Sequence, residues 1–145
     1  MLAMVFLRIR EMSFSSQLWQ DTKLSQELHL LIRSGLILKA VALLQVAHPQ
    51  LLLPGSALYL SLHVQIFIEF LREGDSIAAL RSAQQALGPH KDFGVHTDRG
   101  SLTVREVMGL LCTQQAGDAA VGYLMSQEQR EVVCTVLRQS LTEGS

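Results

Sequence analysis

The stretch "ALYLSLHVQIFIEFLR", Ala57 to Arg72, decides the fold of this chain. At about 100° per residue, its apolar side chains cover well over half of the circumference of a helix. An apolar arc of that width must be covered by neighbours on two sides. We therefore predict a central helix with other helices packed around it. Most of the polar side chains share one narrow face: Ser61, Gln65, Glu69 and Arg72.

Helix start and stop signals flank this central helix. Ser56 stands at the N-cap position, and Gly74 suits the left-handed conformation that closes many helices. Asp75 or Ser76 then caps a fourth helix that ends near Leu87. Strand patterns are weak, since β-branched alternation is rare and Asn-Gly and Asp-Gly turns are missing from the sequence. We predict an all-α fold of antiparallel helical hairpins packed as a small bundle.

Two helices are predicted before the central one. The first runs from about residue 16 to Arg33, and Ser34-Gly35 stops it. The second, Leu36 to Ala47, has Lys39 and Gln45 as its polar residues and is otherwise apolar all round. Such a helix is buried either centrally in its own domain or partly by a partner, since few helices of a small domain can be covered on every side.

A short internal repeat supports two stacked helical hairpins. A basic residue favours the dipole at a helix C-terminus, a glycine turns the chain, and an alanine lets two helices approach closely. The same R-x-G-x-x-x-x-A spacing occurs twice, at Arg33, Gly35 and Ala40 and at Arg72, Gly74 and Ala79.

The second part of the chain begins with "GPHKDFGVHTDRGS", a polar, glycine-rich stretch that we predict to be a linker. Two capping boxes follow, Thr103 with Glu106 and Ser126 with Gln129. They predict helices that start at Val104 and Gln127, with a short helix, Asp118 to Met125, between them. The predicted organisation is a loosely ordered tail (1–15), a first helical domain (16–87), the linker (88–102) and a second helical segment (103–142).

Composition bounds the functions we expect. The chain has 145 residues, 48% hydrophobic and 17% charged, with a formal net charge of -1 and no basic stripe, so we expect no nucleic-acid partner. No apolar run approaches the roughly 20 residues that span a bilayer. The start, "MLAMVFLRIREMSF", lacks the basic opening and cleavage pattern of a signal peptide. We expect a soluble intracellular protein, without membrane contact, in which Cys112 and Cys134 are reduced and buried; the alternative is a single disulfide between them, which their spacing does not favour.

Catalytic and metal-site patterns are weak. "REGDS" and "DRGS" lack the glycine and lysine spacing of a phosphate loop, and no nucleophile elbow is recognisable. His63 lies within an apolar arc and is interpreted as a hydrogen-bonded core histidine. His90, His96 and Asp98 share the linker, but a structural zinc site needs about four protein ligands. We expect no catalytic residue, metal or cofactor, and therefore no enzyme.

Longer motifs resemble a known family. "QIFIEFLREGD", Gln65 to Asp75, resembles the most specific pattern of the CTLH domain, and "LIRSGLI" and "HPQLL" match its earlier parts. "QREVVCTVLRQSL" is similar to the CRA segment at the C-terminal end of the Ran-binding protein M family. The resemblance covers Leu28 to Leu141, and no LisH motif is recognisable before it.

The resemblance implies an all-α, non-catalytic interaction or scaffold module that assembles subunits of the CTLH (also called GID) ubiquitin ligase. Its implied partners are other CTLH-complex subunits or a second copy, and its implied location is cytoplasm and nucleus. The alternative is a stand-alone helical adaptor that binds short peptide motifs.

Candidate interface residues follow from the apolar stripes. We predict a contact surface on the second helix, an outward stripe on the third, and a stripe on the last helix that either completes the core or binds a partner. The residues are Leu36, Ile37 and Leu43; Leu60, Val64 and Ile68; and Val133 and Leu137.

The motif residues Gly35, Gln65, Phe67, Glu69, Arg72 and Gly74 have two interpretations. In the first, Phe67 belongs to a core helix, Gly74 ends it, and Glu69 and Arg72 form a solvated pair worth a few tenths of a kcal/mol. In the second, Gln65, Glu69 and Arg72 form a polar rim around an apolar contact.

Overall fold

A computed structural model describes residues 22–113 and 122–143. The predicted tail 1–15 and the start of the predicted helix Asp118 to Met125 lie outside these residues. The described part is predominantly helical, which confirms the all-α prediction. Its helices are α1 over 22–33, α2 Ile37–Ala47, α3 Ala57–Arg72, α4 Ser76–Ala86, α5 Val104–Thr113 and α6 Gln127–Glu143. Short 3-10 turns, Pro49–Leu52 and Gly88–His90, and two strands, β1 Gly94–Thr97 and β2 Gly100–Thr103, complete it.

Helix α3 is central, as its wide apolar arc predicts. Two separate hydrophobic cores lie on two of its sides. The first core joins α3 to α1, α2 and α6, and its α3 members are Leu58, Leu62 and Ile66. The second core joins α3 to α4, α5 and β1, and its α3 members are Leu60, Val64, Phe67 and Ile68. The helix therefore forms the wall that both cores share.

The predicted outward stripe on α3 is wrong. Leu60, Val64 and Ile68 are each no more than 3% exposed, because α4, α5 and the strands cover that side of the helix. Val133 and Leu137 of α6 are also buried, and they complete the first core. A helical wheel gives the angle of each side chain but does not say which angle another segment of the chain will cover.

The short repeat corresponds to two equivalent helix stops. Gly35 and Gly74 have φ of 80° and 79°. In both turns the amide after the glycine donates to a carbonyl five residues earlier, Leu36 to Leu31 and Asp75 to Phe70, each at 2.9 Å. This is the Schellman arrangement. The repeated alanines, Ala40 and Ala79, are fully buried where the helices of each hairpin meet.

Three predicted caps are confirmed. The hydroxyl of Ser56 accepts from the Tyr59 amide at 3.2 Å, and the carboxylate of Asp75 accepts from the Ala78 amide at 3.0 Å. In the first capping box, Thr103 Oγ1 accepts from the Glu106 amide at 3.1 Å, and Glu106 accepts from the Thr103 amide at 3.3 Å. These contacts satisfy amides that the first turn of a helix leaves unpaired.

The second predicted capping box is wrong. Ser126 does precede α6, but its hydroxyl donates back to the Tyr123 carbonyl at 2.6 Å. The side chain of Gln129, 2% exposed, points to the strands instead. Its amide donates to the His96 carbonyl at 3.2 Å, and its carbonyl accepts from the Asp98 amide at 3.0 Å. Gln129 therefore bonds one backbone acceptor and one backbone donor of the hairpin and joins α6 to β1.

The stretch predicted as a linker, 88–102, carries regular structure. Strands β1 and β2 pair antiparallel, with Gly94 opposite Thr103 and Thr97 opposite Gly100. Val95 is buried in the second core, and Arg99 at the hairpin tip lies 4.5 Å above the Tyr123 ring. The hairpin packs on the helices through β1, in which the alternate residues Val95 and Thr97 are buried. The boundaries of the two predicted helical segments stay a prediction.

Candidate interaction surface

The polar face of α3 is largely buried; Arg72 at its end is exposed, but Glu69 is not the solvated partner that the first interpretation made it. Ser61 and Gln65 are 3% and 1% exposed. Helix α6 packs against α3 on this side, with Val133 in the first core and Arg130 against Glu69. The polar face is thus the place where the C-terminal helix docks.

Glu69 and Arg130 form the principal ion pair of this docking contact. Arg130 Nη2 lies 2.7 Å from Glu69 Oε1, and Arg130 Nε lies 2.9 Å from Oε2. Only 12% of the Glu69 side chain and 15% of the Arg130 side chain are exposed. Gln65 Nε2 also donates to Oε2 at 2.7 Å. The predicted partner Arg72 is 3.7 Å away and contributes the weaker contact.

The same arginine closes the turn between α1 and α2. Arg130 Nη1 donates to the Arg33 carbonyl at 3.2 Å, and Gln127 Nε2 donates to that carbonyl at 2.9 Å. A Cβ placed on Gly35 would overlap Arg130 Nη2 and reach within 3.0 Å of Glu69 Oε1. Glycine is therefore required at position 35 for its positive φ and for the close approach of the guanidinium.

The electrostatics of Glu69 reflect two opposing effects. Burial by itself raises the pKa of the carboxyl group, but hydrogen bonds from Arg130 and Gln65 and the charges of Arg130 and Arg72 outweigh it. The net result is a pKa of Glu69 below its ordinary value of 4.5. The hydrogen bond to Glu69 raises the pKa of Arg130. Both groups are therefore charged at neutral pH, and the contact is an ion pair.

A third face of α3 is only partly covered, and it forms a groove. A pocket of about 220 Å³ lies between the start of α2 and the end of α3, and one of about 540 Å³ lies between α3 and α4. The two pockets adjoin, because Leu38, Ile66 and Phe70 line both. We call their combined surface the α3 groove, with the principal lining residues Leu38, Tyr59, His63, Ile66, Phe70 and Arg81.

The floor of the groove is uncharged at neutral pH. The Tyr59 hydroxyl donates to the Ala86 carbonyl at 2.9 Å, and the Tyr59 and His63 rings lie 4.3 Å apart. Burial lowers the pKa of His63 and raises the pKa of Tyr59, so both rings are neutral. His63 is half-buried on the floor of the groove, so its interpretation as a core histidine is wrong.

Helix α2 presents exposed apolar side chains next to this groove. Ile37, Ala40 and Leu44 are buried in the first core, and Leu43 packs partly against it. Leu36 and Leu38, at the start of α2 beside the groove, are 43% and 58% exposed, whereas Val46, at the far end of the helix and outside the groove, is 86% exposed. Among the predicted interface residues, Leu36 is thus the one that the structure leaves exposed, Leu43 is half-buried, and the others are buried. Leu38 was not among the predicted interface residues. Its position next to Lys39, a polar residue on an otherwise apolar helix, could have indicated that it is exposed.

The remaining sequence candidates do not assemble into a site. In the ranges 22–113 and 122–143, no group of three or more His, Cys, Asp or Glu side chains could hold a metal ion. None of the helices in those ranges is both long and apolar enough to cross a bilayer. Both cysteines are free; Cys134 is buried as predicted, whereas Cys112 is exposed.

Comparison with known proteins identifies the family of this chain. The family described as "CTLH/CRA C-terminal to LisH motif domain" matches residues 21–144. This chain belongs to the CTLH/CRA family. A curated relative, Glucose-induced degradation protein 8 homolog of Nematostella vectensis, is 28% identical over 113 residues, which are 78% of this chain and 49% of the relative. The chain spans about half the length of that relative, and no solved structure matches it.

In CTLH/CRA terms, the Glu69–Arg130 pair joins the two segments from which the family takes its name. Glu69 lies in the CTLH pattern Gln65 to Asp75, and Arg130 lies in the CRA-like stretch that begins at Gln129. The α3 groove, in contrast, is lined by the CTLH-like helices α2, α3 and α4. Within the residues that the structure describes, docking of the CRA-like helix therefore leaves the groove uncovered.

The two helix-stop glycines provide a matched test of the Arg130 contact. Gly74→Ala should reduce the free energy of unfolding by about 1 kcal/mol, because alanine is strained at positive φ. Its Cβ would meet nothing within 4 Å, so no steric cost is added. Gly35→Ala should cost about 1–2 kcal/mol more, since its Cβ displaces Arg130. Urea unfolding measures both. Equal costs for the two substitutions would contradict the role assigned to Arg130.

Replacement of the Glu69 carboxylate should cause a pH-dependent loss of stability. The depressed pKa of Glu69 means that its contribution is complete above 4.5 and is lost as the pH falls through the folded-state value. Glu69→Gln should therefore lower the free energy of unfolding by about 2–4 kcal/mol at neutral pH, with the difference shrinking on acidification. The control is Glu73→Gln. Glu73 is an exposed acid directly after α3, and its substitution should change the free energy of unfolding by less than about 0.5 kcal/mol. A Glu69→Gln effect that is the same at every pH would exclude the ion pair as its cause.

Proposed function

We propose that this chain is a non-catalytic interaction and scaffold module that joins a CTLH-type (GID) ubiquitin ligase assembly by helix-to-helix burial. The observation that carries the proposal is the exposed apolar surface of Leu36, Leu38 and the α3 groove in a member of the CTLH/CRA family. The name of the matched relative, Glucose-induced degradation protein 8 homolog, is in keeping with a role in protein degradation.

The physical argument concerns the second helix. One face of α2 already packs in the first core, through Ile37, Ala40 and Leu44. The exposed apolar side chains on its other faces are therefore not needed for that core. Exposed apolar surface that adjoins a groove marks a binding site for another macromolecule. We propose other subunits of the assembly as the partners, and the cytoplasm and nucleus as the location. No nucleic-acid, membrane or catalytic role is part of the proposal.

A second candidate function is a stand-alone helical adaptor that binds short peptide motifs outside any ligase. The size of the α3 groove favours it, since its larger pocket of about 540 Å³ has the volume of a ligand site. The two functions differ in assembly. A subunit is recovered with its complex, whereas an adaptor is recovered as a folded monomer with transient ligands.

The test is native purification of the tagged chain from cells, followed by mass spectrometry and size-exclusion chromatography. We expect LisH- and RING-containing CTLH subunits to co-purify with the wild-type chain, in a complex far larger than the chain itself. Leu36→Asp should reduce this recovery at least about tenfold, because it places a charge in an apolar contact. Val46→Asp, at the exposed far end of α2, should not. Recovery of the wild-type chain as a lone monomer would contradict the proposal and favour the adaptor.

A further inference from the structure

We infer that the α3 groove binds an amphipathic helix of a partner protein, with acidic side chains on that helix facing Lys39 and Arg81. This inference names the partner chemistry of the interaction module proposed above. It commits to a protein helix because the shape, the charge and the surface of the chain itself each point to that occupant.

The shape of the groove matches a helix. Its floor is a single stripe of α3, in which Tyr59, His63, Ile66 and Phe70 follow one another at helical spacing and Glu73 closes the end. At 1.5 Å per residue the stripe is roughly 21 Å long, which equals about four turns of a docked helix. Two pockets in tandem, separated by Leu38, suit two apolar anchors of such a helix, since helices dock in grooves through side chains at i, i+4 and i+7.

One wall of the groove permits a close approach. Helix α4 lines it with Ala78, Ser82 and Ala86, which recur at a spacing of four residues. Small side chains along one face reduce the distance between packed helix axes. The opposite wall is Leu38, which is 58% exposed and stands free to cover the apolar side of a docked helix. The groove is therefore lined by small side chains of α4 on one side and by the exposed apolar side chain of Leu38 on the other.

The charges on the rim favour an acidic partner. Lys39 lines the smaller pocket and Arg81 the larger, and among the described residues neither cation forms an ion pair. Of the two acids at the groove, Glu69 is neutralised by Arg130, which leaves Glu73 at one end. The rim is therefore net positive although the chain as a whole carries -1. Complementary charge improves specificity and the rate of association.

Helices α2 and α4 of a second copy do not suit the groove, although both carry exposed apolar side chains. The exposed large apolar side chains of α2 and α4 have basic rather than acidic neighbours, Lys39 and Arg81, and neither helix contains an Asp or Glu. Two copies of this surface would bring like charges together, which costs free energy. A different protein that supplies the acidic side chains is the better match.

The experiment uses the 145-residue chain and a fluorescein-labelled synthetic peptide of about 18 residues, with leucine at i, i+4, i+7 and i+11 and glutamate on both flanks. A second peptide has lysine at every glutamate position. Fluorescence anisotropy should give saturable binding of the glutamate peptide, with the lysine peptide at least about tenfold weaker. The double variant Lys39→Glu/Arg81→Glu should reverse this preference. Lys91→Glu/Arg138→Glu makes the same change in charge away from the groove and should leave the preference unchanged.

An apolar variant tests the site independently of charge. Leu38→Glu should weaken binding of the glutamate peptide at least about tenfold, whereas Leu80→Glu, an exposed leucine on α4 outside the groove, should not. Circular dichroism verifies that all variants fold. Absence of saturable binding, equal affinity for the two peptides, or a preference that the Lys39 and Arg81 reversals do not change would each overturn the inference. A wild-type dimer that Leu38→Glu dissociates and Leu80→Glu does not would assign the groove to a second copy instead.

These outcomes are separable from those of the proposed function. Charge-selective peptide binding by a chain that recovers no CTLH subunits from cells would overturn the proposed function and leave the groove inference standing. Undiminished recovery of those subunits by Lys39→Glu/Arg81→Glu, together with no charge preference in the peptide assay, would overturn the groove inference alone.

Discussion

A carboxylate buried on a central helix is the constraint on which the rest of this structure depends. Glu69 is 12% exposed, and a charge so enclosed is costly unless it is paired and hydrogen-bonded. Arg130 supplies the pairing, and it reaches Glu69 only because Gly35 has no Cβ. The α1–α2 turn, helix α3 and helix α6 therefore fix one another. Burial of apolar surface stabilises both cores, but it is non-directional and does not fix how α6 is aligned on α3. The bidentate ion pair is directional and sets that alignment.

This arrangement decides which surface of α3 remains open. The C-terminal helix packs on the polar face at Gln65 and Glu69, and α4, α5 and the strands cover Leu60, Val64 and Ile68. Tyr59, His63 and Phe70 are left at the floor of a groove. Within the described residues this apolar groove stays uncovered, and it is the surface on which the proposed interaction role in a CTLH/CRA family member rests.

Local patterns predicted the elements but not their pairing. The apolar arc of α3 indicated two sets of neighbours, and Gly35, Gly74, Ser56 and Asp75 marked turns and caps, because these effects act within a few residues. Glu69 was given its neighbour Arg72 as partner, since spacing along a helix is visible in a sequence. Its principal partner, Arg130, is 61 residues away, and no periodicity reports such a contact. The β-hairpin was missed for a related reason: its turn is Asp98-Arg99, without the Asn-Gly or Asp-Gly signal.

The most direct test of the central constraint is a double-mutant cycle on the free energy of unfolding at neutral pH. It compares the wild-type chain with Glu69→Gln, Arg130→Met and the double variant in urea. If the two side chains act as one unit, the cost of the double variant will fall short of the summed single costs by about 2 kcal/mol. Costs that add to within about 0.5 kcal/mol would mean that Glu69 and Arg130 contribute separately. That result would contradict the ion pair as the contact that holds α6 on α3.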